Sequence, residues 1–256
     1  MRINRAQWEP KFFTTLPQWP CPTCHQGTLI RTEGEWTTIE TAESIAARTE
    51  RFDDWEPDWE TSRAVGFMRC TNCSDPVAVI AEVGLVACRD EQYGPGLEPG
   101  YWPHSLLPAP ELIAVPPEAA EPVRAAMLRA FALYWSDPSS SGNCIRTAIE
   151  AVLDQFRISR TRVVTHHGRR SRAFRPLHER LLEAAKRFPT LQNTLMALKW
   201  LGNAGTHHVL THGDVLQAMD FLDHAFDEIY RRRSETLAKA AKEIIRRRGP
   251  ARHRSK

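Results

Sequence analysis

Apolar residues recur at three- and four-residue steps through much of the second half of the chain, a period that predicts amphipathic helices. In Ala119–Trp135 the apolar positions are Val123, Met127, Ala130, Phe131 and Tyr134, with Pro122 accommodated in the first turns. Asp137 to Gly142, reading DPSSSG, breaks the pattern. A second helix is predicted over Asn143–Phe156, with Ile145, Ala148, Ile149, Val152 and Leu153 on one face. A third covers Leu177–Phe188 and is stopped by Pro189, and a fourth runs from Thr190 towards His208 with Leu191, Leu195, Leu198 and Leu201 apolar. The last opens at Thr211-His212-Gly213-Asp214, where hydroxyl and carboxylate can satisfy otherwise unpaired N–H groups as a capping box. It continues through Val215, Met219, Leu222, Phe226 and Ile229 into a basic tail. Short connections between such helices predict an antiparallel bundle.

The first half is patterned as strands and loops. Thr28–Thr32 and Trp36–Glu40 are predicted hairpin strands, Thr41–Arg51 a short helix and Val77–Val83 a strand. Residues 93–117 are so dense in Pro and Gly that neither a helix nor a central strand is expected there, which marks a linker and a domain boundary. The predicted class is α+β, with a small N-terminal domain (1–92), the linker (93–117), a helical domain (118–232) and a basic extension (233–256).

Cysteine spacing supplies the first chemistry. Cys21-Pro-Thr-Cys24 and Cys70-Thr-Asn-Cys73 each present two sulfurs at the spacing of a zinc knuckle, and four thiolates close a tetrahedral structural site around one Zn²⁺. A redox-active pair would need only one Cys-x-x-Cys, at a helix start after a strand. Here the first pair lies between Pro20 and Gly27 and the second precedes Pro76 and a strand-like run, the layout of a zinc ribbon. Cys88 and Cys144 are left over and read as small buried hydrophobes. Between the knuckles, an acidic stretch with Trp36, Trp55 and Trp59 reads as an insertion whose tryptophans fold back on the zinc core; the alternative is a partner-binding loop.

Charge divides the chain more sharply than the net value of +3 suggests. Residues 157–256 hold 22 Lys+Arg against 9 Asp+Glu, and residues 1–156 hold 12 against 22. No apolar run reaches the ~18 residues of a membrane span and no secretory leader pattern opens the sequence, so a reduced, cytoplasmic setting is expected. Phe156–Arg175 carries Arg157, Arg160, Arg162, Arg169, Arg170, Arg172 and Arg175, with His166 and His167 and no acidic residue. Of these, Arg169, Arg170, Arg172 and Arg175 are the candidate phosphate contacts of an RNA or DNA site. The alternatives are a solvated loop and tail, or a face that docks on the acidic front half of another subunit.

Lys199, Asn203 and His207 lie four residues apart, so an unbroken helix projects all three from one face. Gly202 and Gly205 lower helix propensity there, consistent with close packing against the second helix, where Arg146 and Glu150 share a face. Such a group forms either a catalytic pocket or a satisfied buried network, and spacing favours the network.

Tyr101–Pro116, the helix Cys144-Ile-Arg146-Thr-Ala-Ile-Glu150-Ala-Val-Leu153 and above all Leu198-Lys199-Trp-Leu-Gly202-Asn203-Ala-Gly-Thr-His207 resemble the bacterial domain-of-unknown-function family 4145. The resemblance covers about residues 100–232. That family is similar to the HEPN superfamily of four-helix domains and is often preceded by a Cys-x-x-Cys zinc module. The resemblance implies a helical, often dimeric domain found in restriction and antiviral defence proteins, with metal-independent RNases among superfamily members. On that pattern His207 matches the proton-moving His, Asn203 the polar position and Lys199 the usual Arg. Lys supplies charge without the bidentate fork of Arg, and the Lys199-to-His207 spacing is longer than in the established RNases. The expected function is therefore a zinc-binding, HEPN-like protein that binds or cleaves RNA or another nucleic acid in defence or stress, with His207, Asn203, Lys199, Arg146 and Glu150 as candidate catalytic residues. The alternative is a non-catalytic interaction module of a larger defence complex.

Overall fold

An antiparallel sheet followed by helices makes up the chain, as the change of period predicts. The structure is a computed structural model that describes residues 3–90, 94–166, 169–207 and 209–249, with the backbone only at 90, 94, 166 and 202–207. The sheet is a meander in the order β1 (Leu29–Glu40), β2 (Thr61–Cys70), β3 (Pro76–Asp90), β4 (Gly94–Leu107). Strand period sets its two faces: Ser62, Ala64, Met68 and Cys70 of β2 point inward with Val77, Val79, Ala81 and Val83 of β3, while Arg63, Val65, Phe67 and Arg69 point outward. The connection from β1 to β2 carries α1 (Ala42–Glu50), whose N-cap Thr41 hydroxyl accepts the Ser44 N–H at 3.2 Å.

Two expectations for this half are corrected. Thr28–Thr32 and Trp36–Glu40 do not pair with each other as a hairpin. Leu29–Thr32 and Trp36–Glu40 fall within one strand, β1, which pairs with β2 and slips register between Arg31 and Trp36, with Gly34 at φ 76° supplying the kink. Residues 93–117 are not a linker, because Gly94–Leu107 forms the edge strand β4. Its prolines explain how: Pro95, Pro99 and Pro103 are four residues apart, so all three missing N–H groups lie on one edge of the strand. Tyr101 shares that parity, and its outward N–H and C=O bond Phe13 at 2.9 and 3.0 Å, on the side away from β3. The prolines thus remove donors only where no strand pairs.

The helical half contains α2 (Glu121–Leu133), α3 (Pro138–Gln155), a hairpin of β5 (Thr161–His166) and β6 (Arg169–Phe174), α4 (Leu177–Arg187), α5 (Gln192–His207), α6 (His212–Ile229) and α7 (Arg233–Arg247). The predicted break at DPSSSG is a helix start. The Asp137 carboxylate accepts the Ser140 N–H at 2.9 Å and Pro138 occupies the first turn, where its missing N–H costs nothing. The capping box at Thr211 and Asp214 forms as predicted. The last helix does not run on into the tail: the chain turns at Arg232, φ 46°, and α7 has no buried residue.

One core links sheet and helices. The first turn of the chain supplies Trp8, Phe13 and Trp19, which pack on Tyr134 and Trp135 at the end of α2; Trp19 to Trp135 is 6.0 Å between ring centres. The Trp19 indole donates to the Gln7 carbonyl at 2.8 Å, the Tyr134 hydroxyl donates to the Trp8 carbonyl, and Arg5 pairs with Asp220 of α6. After β4, Leu112, Ile113 and Val115 are buried rather than spacing two domains apart.

Candidate metal centre and basic hairpin

Two turns of the same construction hold the four sulfurs. In the first, the Thr23 and Cys24 N–H groups point at Cys21 Sγ at 3.4 and 3.5 Å, and the His25 N–H bonds the Cys21 carbonyl at 3.1 Å. In the second, the Asn72 and Cys73 N–H groups point at Cys70 Sγ at 3.3 and 3.4 Å, and the Ser74 N–H bonds the Cys70 carbonyl at 3.0 Å. The residue after each pair, His25 or Ser74, turns the chain with a φ of 53° or 61°. β2 and β3 present the second turn at their joint; the Cys21 N–H to Gly27 carbonyl bond at 2.9 Å closes the first turn on itself, and the Thr71 N–H to Thr28 carbonyl bond at 2.9 Å holds the two together. Gly27 is needed for the approach: a Cβ there would lie 2.5 Å from Cys70 Sγ. A Thr23 hydroxyl to Asp75 carboxylate bond at 2.5 Å ties one turn to the other.

The result is a cluster in which Cys21, Cys24, Cys70 and Cys73 lie within 4.8 Å of one another and could hold a metal ion. Cys21 Sγ to Cys73 Sγ is 3.8 Å and Cys24 Sγ to Cys70 Sγ is 3.6 Å. All four are free thiols, far beyond the ~2.05 Å of a disulfide. The N–H groups of Gln26 and Gly27, with the Asn72 side-chain amide, hold Cys24 down at about 5. The Cys73 N–H holds Cys70 below the ordinary thiol value. At Cys73 the Asp75 N–H favours the thiolate, but burial and the three adjacent sulfurs override it and push this thiol up to about 12. Four sulfurs packed this tightly cannot all carry negative charge unless a cation shares the space. The Asn72 amide, 3.6 Å from Cys24 Sγ, is a contributor that spacing did not single out.

The tryptophans between the turns make their ring contacts away from this cluster, Trp55 beside the Arg48 guanidinium. Trp36 lies against Gly66 and Tyr101 on the sheet and donates to the Phe67 carbonyl at 3.0 Å. The Trp59 ring is partly exposed beside the Arg51 guanidinium.

The arginine-rich stretch is a hairpin, not a loop, and its cations fall into two sets. Arg160 bonds Asp154, Arg162 reaches Glu179 at 2.8 Å, and Arg175 reaches Glu183 at 3.4 Å and Glu179 at 3.9 Å. Buried Arg180 bonds Asp154 at 2.6 Å and the Ile158 carbonyl at 2.9 Å. These anchor the hairpin to α3 and α4. Arg169, Arg170 and Arg172 are exposed and have no carboxylate partner among the described residues. The register places Arg170 opposite Thr165, Arg172 opposite Val163 and Phe174 opposite Thr161, so two cations share a face with the exposed side chains of Val163 and Phe174. Phe174 and Val163 were missed in the sequence; the alternation of β6 is the signal that finds them. His167 lies outside the described residues, as does the side chain of His166.

On the helical face proposed for catalysis, Arg146 and Glu150 of α3 are 3.3 Å apart and partly exposed. Lys199 of α5 lies 4.1 Å from the centre of the exposed Trp200 ring. Asn203 and His207 continue the backbone of α5 at the predicted four-residue steps, and their side chains lie outside the described residues.

Residues 128–248 match the family model of the domain of unknown function DUF4145, in agreement with the resemblance seen in the helical half. Residues 9–96 match a second model, the domain of unknown function DUF8608, which takes in the cysteine cluster and most of the sheet. No curated protein and no solved structure matches the chain.

Proposed function

We propose that this chain is a zinc-stabilised nucleic-acid-binding protein that takes RNA on its β5–β6 hairpin. The observation that carries the proposal is the sorting of the arginines: Arg160, Arg162, Arg175 and Arg180 are neutralised by Asp154, Glu179 and Glu183, whereas Arg169, Arg170 and Arg172 project from an exposed ribbon without carboxylates. Unpaired guanidiniums are expensive to cluster and are matched by phosphates, which they bind in bidentate fashion. Phe174 on the same face adds a ring on which a base can stack. Binding is the reading the side chains support. Of the candidate residues, Arg146 bonds Glu150 and Lys199 leans on Trp200, whereas Arg169, Arg170 and Arg172 have no carboxylate partner among the described residues.

Zinc fits the cluster by donor chemistry and by size. A tetrahedral ion with Zn–S bonds of ~2.3 Å sets sulfurs about 3.8 Å apart, against 3.6 and 3.8 Å for two of the pairs and no more than 4.8 Å for any. Four cysteines leave no open position, so the ion would hold the two turns together and supply no chemistry to a substrate.

Binding of a fluorescent RNA, measured against salt, tests the reading. Replacing Arg169, Arg170 and Arg172 by Ala is expected to weaken binding across sequences and to flatten the log–log salt slope by about 2, at ~0.7 per phosphate contact for single strands. Unchanged affinity and an unchanged salt slope in the triple variant would remove the hairpin's arginines from the interface.

A further inference from the structure

Two surfaces of this chain break the rule that an exposed face is polar. The outward face of the sheet carries Ile39, Val65, Phe67, Ile80 and Leu107, each between 42 and 71% exposed. The register makes them neighbours: Val65 pairs with Ile80, Phe67 with Ala78 and Ala78 with Leu107, so the patch is continuous over β2, β3 and β4, with Ile39 beside it on β1. A solvent-facing antiparallel sheet normally alternates to polar residues there. The second surface is α7. Its Leu237, Ala241, Ile244 and Ile245 fall on one side of the helix at four-, three- and one-residue steps, and all are exposed.

Charge decides what covers them. Residues 33–60, from the kink of β1 through α1, hold ten Asp+Glu against two Arg; residues 231–248, spanning α7, hold eight Lys+Arg against two Glu. Sheet against sheet would bring two acidic regions together, and helix against helix would bring two basic ones together. Helix against sheet joins opposite charges around apolar centres. Within its own chain α7 turns away from α6 at Arg232 and buries nothing.

We propose that α7 of one copy docks on the outward sheet face of a second copy, and that the exchange is reciprocal. A two-fold dimer then covers both helices and both sheets, and the assembly closes rather than growing into a chain. This inference stands apart from the RNA reading, because it uses neither the β5–β6 hairpin nor the cysteine cluster.

Sedimentation equilibrium of the full-length protein tests it, using Leu237→Glu with Ile244→Glu on α7, and Ile80→Glu on the sheet. All three positions are exposed, so circular dichroism and melting temperature should stay at wild-type values. The wild type is expected to be a dimer that weakens with salt. Each variant alone is expected to dissociate about tenfold or more readily, since a carboxylate would be buried without a partner. An equimolar mixture of the helix variant and the sheet variant should regain dimer, because one intact helix then meets one intact sheet. A monomeric wild type at all concentrations overturns the proposal. So does a dimer that tolerates Ile80→Glu, as helix pairing would, or tolerates the α7 variant, as sheet pairing would. Failure of the mixture to recover dimer overturns it as well.

Discussion

Trp19→Ala should destabilise the sheet and the helices together. Trp19 is fully buried, its indole N–H bonds the Gln7 carbonyl, and its ring meets Trp8, Phe13 and Trp135, the last belonging to the helical half. Removing a buried Trp side chain costs about 3–5 kcal/mol in transfer and cavity terms. About 1 kcal/mol of that order is at stake in the hydrogen bond alone. If all 256 residues unfold as one unit, the unfolding entropy is roughly 0.5 kcal/mol/K, and a loss of about 4 kcal/mol lowers Tm by about 7 °C. If only the first ~115 residues unfolded with Trp19, the entropy would be less than half as large and the shift about 17 °C. The assay is thermal and urea unfolding followed by far-ultraviolet circular dichroism, dominated by the helices, and by release of the proposed zinc from the cysteine cluster to a coloured chelator. Coincident curves and the smaller shift are expected. An early metal-release transition with helical signal unchanged would show that the aromatic junction does not couple the two halves.

Three other outcomes follow from the geometry. Freshly purified, reduced protein should contain about one zinc per chain by elemental analysis, and Cys24→Ser or a strong chelator should lower Tm and release it; protein free of metal with wild-type stability would remove zinc from the account. Asp154 is held below the usual carboxylate range by its bond to Arg160, with Arg180 adding to this, so its contribution is present above about pH 4 and is lost as pH falls through the lowered folded-state value. Asp154→Asn should therefore cost about 1–3 kcal/mol near neutral pH, and the difference from wild type should shrink in acid; a gap independent of pH would assign the loss to packing. Gly66→Val should cost about 1–3 kcal/mol and alter Trp36 fluorescence, because even a Cβ there would lie 2.3 Å from the Trp36 ring; an unchanged Tm would show that the ring moves freely.

The helices and the two cysteine pairs were legible along the chain because both are local signals. A 3.6-residue period places α2, α4 and α6 within a few residues, and Cys-x-x-Cys spacing identifies two half-sites without any knowledge of how they meet. The capping box of α6 is local for the same reason. Where the reading failed, a contact distant in sequence decided. Proline density in 93–117 argues against a strand until one knows that β4 is an edge whose outward positions pair with Phe13. DPSSSG breaks one helix and starts the next, and composition does not distinguish these. At the cysteine cluster, only the β2–β3 joint brings Cys70 and Cys73 within 4 Å of Cys24 and Cys21. Among the arginines, the sequence by itself determined a basic stretch of fixed composition, and only tertiary structure divided it. Asp154, Glu179 and Glu183 lie on α3 and α4, outside that stretch, and their packing neutralises some guanidiniums and leaves Arg169, Arg170 and Arg172 to the solvent. Period and spacing act over a few residues and are written in the order of the chain; burial and ion pairing depend on which distant segments share a surface, and only the folded chain sets that.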